Sequence, residues 1–138
     1  MKRFISLTTI VLFSILCYGQ SNDIDVYRFT LEKYISTIKE TSKIDTIYIR
    51  NDFALLTELP SVISNKPIKL VDIKNVSKNF IAFSPIESKR NRKKVSIIEY
   101  SVYCEDNYIG YTGGYCFVLK IKKSGNKILI EKIEKTTY

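Results

Sequence analysis

The chain has 138 residues, 45% of them hydrophobic, and 22 Lys and Arg against 14 Asp and Glu, for a formal charge of plus eight. It contains no histidine, which excludes every mechanism that uses imidazole as base, proton shuttle or metal ligand. A glycine-rich phosphate loop, a nucleophile elbow and a calcium loop with alternating acids are also missing, so the common phosphoryl-transfer, acyl-transfer and calcium-binding templates do not apply.

Residues 1–19 have the three parts of an export signal: Lys2 and Arg3, an apolar stretch from Phe4 to Leu16, and small residues at Cys17 and Gly19. The apolar stretch is shorter than the roughly twenty residues that a membrane-crossing helix needs. Cleavage before Gln20 leaves a single domain, 20–138, and the loss of Lys2 and Arg3 lowers the charge from plus eight to plus six. The expected location is the periplasm or the cell exterior. The competing reading is a lipid anchor on Cys17, against which Leu16 stands where that processing favours Gly, Ala or Ser.

In the mature chain, Tyr27, Leu31, Tyr34, Ile35 and Ile38 recur at spacings of three and four, which predicts a long helix from about Asp23 to Glu40 with one face on a sheet. Asp23 and Asp25 suit its N-terminal end and Lys39 the other. β-branched and aromatic residues then predict strands over Asp45 to Ile49 and Ile68 to Ile73. A helical turn over Phe53 to Leu59 should stop before Pro60, and a second is expected over Val76 to Phe80. Further strands are predicted over Val95 to Cys104, Tyr115 to Lys123 and Lys127 to Lys135, the last two joined by Ser124-Gly125-Asn126 as a three-stranded meander. On the middle strand Tyr115, Phe117, Leu119 and Ile121 should face the core, with Val118, Lys120 and Lys122 opposite.

Cys104 and Cys116 are the only cysteines after cleavage, and the oxidising exterior predicts a Cys104–Cys116 disulfide. Alternation complicates this pairing. Cys116 shares the lysine face while Cys104 shares the parity of Ile98, Tyr100 and Val102, so a bulge or a frayed strand end is required.

These elements predict an α+β domain with the long N-terminal helix packed on a mainly antiparallel sheet that ends in the C-terminal meander. Their order resembles that of the cystatin-like and nuclear-transport-factor-like folds. The segments Asp45-Thr46-Ile47-Tyr48-Ile49, Leu59-Pro60, Pro67-Ile68-Lys69-Leu70-Val71-Asp72 and the lysine-rich C-terminal hairpin resemble small exported proteins of Bacteroidetes-type bacteria. Neither resemblance implies an activity.

Two segments are candidate binding sites. The first is Lys89, Arg90, Arg92, Lys93 and Lys94, a cationic run broken only by Asn91, which suits an anionic partner if it is more than a solvated connection. No aromatic residue interleaves with it, so nucleic acid is a poor fit. The second is Tyr108, Tyr111 and Tyr115, set among Gly110, Gly113 and Gly114 and read as a stapled loop that could recognise a sugar or a protein, or else as an ordinary hairpin connection. Glu99, Glu105 and Asp106 are the nearest approach to a carboxylate pair for catalysis. The expected function is a binding or accessory domain without catalysis, metal or cofactor, whose partner is an anionic envelope component or a protein. The alternatives are a histidine-free enzyme using carboxylates and a structural envelope protein.

Overall fold

The computed structural model describes residues 23–37, 43–103, 108–122 and 127–137. Helix α1 spans 23–37. It is followed by strands β1 (Ile47–Arg50), β2 (Val62–Ile63), β3 (Lys66–Val71), β4 (Phe80–Phe83), β5 (Glu87–Lys89), β6 (Arg92–Tyr103), β7 (Tyr108–Lys122) and β8 (Lys127–Thr137). All eight strands join one sheet in the order β2-β3-β1-β4-β6-β7-β8, and β5 also pairs with β6. The export signal and the Cys17 alternative lie outside the described residues.

The α+β expectation is corrected by this architecture. Strands hold 56% of the described residues and helical structure 23%. The sheet is mixed: β1 runs parallel to both of its neighbours, β3 and β4, and every other pairing, β2-β3, β5-β6 and β4-β6-β7-β8, is antiparallel. Parallel neighbours need a crossover. Residues 51–65 supply one through a 3-10 turn at Ala54–Glu58 and the β2–β3 hairpin, and residues 72–79 supply the other.

The 3-10 turn at Ala54–Glu58 stops at Leu59, as Pro60 requires. The second helical turn forms earlier than expected, at Ile73–Asn75, because the Asp72 carboxylate accepts a hydrogen bond from the Lys74 N–H (3.1 Å) and starts it there. That frees Phe80 to begin β4, whose four residues are all buried. Pro85 then interrupts the chain between β4 and β5. Ser84 spans the gap: its N–H donates to the Ser96 carbonyl (2.9 Å) and its Oγ accepts from the Ser96 N–H (2.8 Å).

Val26, Tyr27, Leu31, Tyr34 and Ile35 of α1 pack with Ile47, Ile49, Ile81, Phe83, Val95, Ile97, Tyr115, Phe117 and Leu119. The predicted helical stripe is therefore a core stripe, as far as the described residues reach. On β6 the core side is Val95 and Ile97, both fully buried, so Ile98 and Tyr100 point to the opposite face. There Tyr100 stacks on Phe80 at 5.0 Å, and the Arg50 guanidinium lies 5.3 Å from the Tyr100 ring centre. The register shifts twice, at Glu99/Tyr100 opposite β7 and at Val118/Leu119 opposite β8. Each shift is a bulge that reverses which residues of the longer side face the core.

Candidate functional site

The cationic run is not a connection before a strand. It forms the tip of the β5–β6 hairpin, with Lys89 opposite Arg92 across a two-residue turn in which Arg90 takes a positive φ of 56°. The tip is tied to β7 by the Ile121 N–H, which donates to the Asn91 carbonyl (2.8 Å). Alternation along β6 then divides the cations. Lys93 faces α1 and reaches Asp23 at 3.6 Å, while Arg92 crosses to Glu131 on β8 at 2.9 Å. Lys94 takes the outer face near Glu134, whose pKa is lowered chiefly by its hydrogen bond to Lys132 and slightly by Lys94.

Lys89, Arg90 and Arg92 meet Lys120 of β7, a residue the sequence did not single out, around a polar cleft of about 400 Å³ that Asn91 completes. Lys89, Arg90 and Lys120 make no ion pair among the described residues. Lys120 joins because the β6–β7 register sets it opposite Arg92. Its alternation with Val118 and Lys122 marked it only as outward.

The expected tyrosine loop is instead the first half of β7. Tyr115 is buried in the core and meets the Tyr34 ring edge-on at 5.9 Å. Tyr111 lies on the outer face beside Tyr100 at 5.9 Å. Tyr108 is exposed and pairs with Tyr103 of β6, ring centres 6.0 Å apart. The three tyrosines therefore do not form one site. The glycines serve packing: a Cβ on Gly114 would lie 2.4 Å from the Ile97 carbonyl oxygen, and Gly113, at φ 145°, is at the bulge.

Of the expected disulfide, Cys104 lies outside the described residues, as do Glu105 and Asp106. Cys116 is a half-buried free thiol opposite Ser96. Tyr103, the neighbour of position 104, lies seven positions further along β6, or about 23 Å, whereas a disulfide needs Cα atoms within about 7 Å. The register therefore gives the bridge no support.

A second cleft, of about 220 Å³, opens where the inner face of the sheet runs out past α1. Glu99 stands in its wall and accepts a hydrogen bond from the Tyr34 hydroxyl (2.7 Å). No cation lies within ion-pair distance of Glu99 among the described residues. Thr46, Asn79, Ser101 and Thr112 bring further polar groups, while the rings of Phe80 and Tyr100, whose residues also border the cleft, stack on the outer face of the sheet. Among the described residues no group of three or more Cys, Asp or Glu is placed to hold a metal ion, and no helix is long and apolar enough to cross a membrane. The sequence marked Glu99 only as a member of an acidic cluster. The Tyr34–Glu99 contact joins positions 65 residues apart, and no local pattern reports it.

Compared with protein-family models, curated proteins and solved structures, the chain matches none.

Proposed function

We propose that the chain is an exported binding module, without catalysis of its own, that docks on an anionic polymer of the cell envelope through the tip of the β5–β6 hairpin. One observation carries this reading: Lys89, Arg90, Arg92 and Lys120 surround a single cleft, and three of the four have no counter-ion among the described residues. A phosphate, sulfate or carboxylate repeat would supply the missing charge. Exposed cations of this kind are screened by salt, so the attachment is steep in ionic strength. Among the described residues the lining contains no aromatic ring, which disfavours single-stranded nucleic acid, since that ligand gains from a stacking surface.

The enzymatic alternative finds no support in the Glu99 cleft. A carboxylate-pair hydrolase needs two acids roughly 5–9.5 Å apart, and among the described residues Glu99 is the only acid in that lining. The export part of the proposal rests on the first nineteen residues, and intact mass of the secreted protein tests it: a chain starting at Gln20 is expected, and one starting at Met1 would overturn it.

Docking is tested by retention on immobilised heparin and on immobilised inorganic polyphosphate over a salt gradient, with wild type and a Lys89→Ala, Arg90→Ala, Lys120→Ala variant. The wild type should elute at clearly higher salt than the variant on at least one matrix. Equal elution of the two proteins on both matrices would refute the site.

A further inference from the structure

The Glu99 cleft lies at the opposite end of β6 from the basic hairpin, and its chemistry is different. From Arg92 to Tyr103 the strand extends for eleven steps, roughly 35 Å. On the inner face, Glu99, Ser101 and Tyr103 follow one another at alternate positions. Across from them on β7 stand Gly110, opposite Ser101, and Tyr108, opposite Tyr103. The bulge at Glu99/Tyr100 makes this alignment, because it brings Gly110 and Tyr108 onto the inner face that Tyr115 and Phe117 occupy further along β7.

The Tyr103 and Tyr108 rings flank Gly110 so closely that a Cβ there would meet them at 3.0 and 3.2 Å. Both rings are exposed, Tyr103 by 52% and Tyr108 by 62%. Beyond the lining of the cleft, which carries a carboxylate, an amide and hydroxyls, a shelf of two bare aromatic rings follows along the same strand and face.

We propose that this cleft and shelf form a subsite for a neutral saccharide. A carboxylate with no counter-ion among the described residues accepts hydrogen bonds from sugar hydroxyls, Ser101, Thr112 and Asn79 offer further polar contacts, and the apolar face of a pyranose ring lies on tyrosine. An amine is the competing occupant, since it too would pair with Glu99, and the test includes one. A purely apolar ligand would leave the Glu99 carboxylate desolvated and unpaired. This site is independent of the basic hairpin, and binding of an uncharged sugar should respond little to salt, so the two proposals fail separately.

The test is an amide-resolved NMR titration of the mature protein with glucose, galactose, mannose, N-acetylglucosamine and cellobiose, and with ethanolamine as the amine probe. At least one saccharide should saturate and shift the amides of Ser101 and Gly110. Glu99→Gln, which keeps the side-chain shape and an acceptor for Tyr34, should weaken that saccharide by about tenfold or more. Tyr108→Ala, which removes an exposed ring outside the core, should weaken it by roughly threefold to tenfold. The proposal is overturned if no saccharide of the set moves these amides, if one binds but neither variant weakens it, or if ethanolamine alone occupies the cleft.

Discussion

Gly114→Ala is the sharpest test of the β6–β7 register. The added Cβ would sit 2.4 Å from the Ile97 carbonyl oxygen and 3.2 Å from the Ile98 Cα, both backbone atoms of the neighbouring strand. Neither atom moves unless β6 separates from β7 where Ile97 and Tyr115 are buried. Overpacking of this kind costs about 1–3 kcal/mol, and a lengthened ladder hydrogen bond adds about 1 kcal/mol. The smaller unfolded-state entropy of alanine returns about 0.4–1 kcal/mol. The net expected loss is about 1–3.5 kcal/mol.

Gly110→Ala is the control within the same strand. Its new Cβ meets only the outer ring atoms of Tyr103 and Tyr108, which are free to swing into solvent, so its effect should stay within about 0.5 kcal/mol of zero. Urea unfolding of both variants at a common slope separates the two cases: with a slope of about 1–2 kcal/mol per molar, Gly114→Ala should lower the midpoint by about 0.5–3.5 M and by clearly more than Gly110→Ala. Equal midpoints for the two variants would refute the register.

Phe117 is fully buried, and Phe117→Ala should cost about 3–5 kcal/mol in the same assay; a loss under about 1 kcal/mol would place it outside the core. Ser84→Ala removes the acceptor of the Ser96 N–H at the break after β4, with an expected loss of about 1–2 kcal/mol, and faster hydrogen exchange at Ser96 should accompany it. The Tyr27 pKa is raised above 10.0, first by burial and then by Asp23. The unfolded chain therefore ionises first, and the stability contributed by neutral Tyr27, complete below 10.0, should decline as pH rises through the folded value. Denaturant midpoints between pH 8 and 11 should show a shallower alkaline decline in Tyr27→Phe than in wild type, and superimposable slopes would contradict this assignment.

Periodicity alone determined several parts of this protein. The spacing of Tyr27, Leu31, Tyr34 and Ile35 points to a helix face against a core, and that of Tyr115, Phe117 and Leu119 to the buried side of a strand, because periods of 3.6 and 2 separate the two elements. The turn ending at Leu59 followed from Pro60, and the cationic run at 89–94 stood out as charge whatever its conformation. What remained hidden depends on partners distant in sequence. Parallel pairing of β1 with β3 and β4 leaves no mark on alternation, and a four-residue strand such as β4 reads as well as the end of a helical turn.

The sites divide in the same way. That Lys93 and Arg92 are taken up by Asp23 and Glu131 while Lys120 enters the cleft is decided by register across β6, β7 and β8 and by the position of α1. One bulge opposite Glu99 separates Tyr108, Tyr111 and Tyr115 into an exposed shelf, an outer face and the core, although in sequence they form one group. The residue types, and hence the available chemistry, were legible in the chain. Which of them share a surface was settled only when the strands paired, since a shift of one residue exchanges the two faces of a sheet.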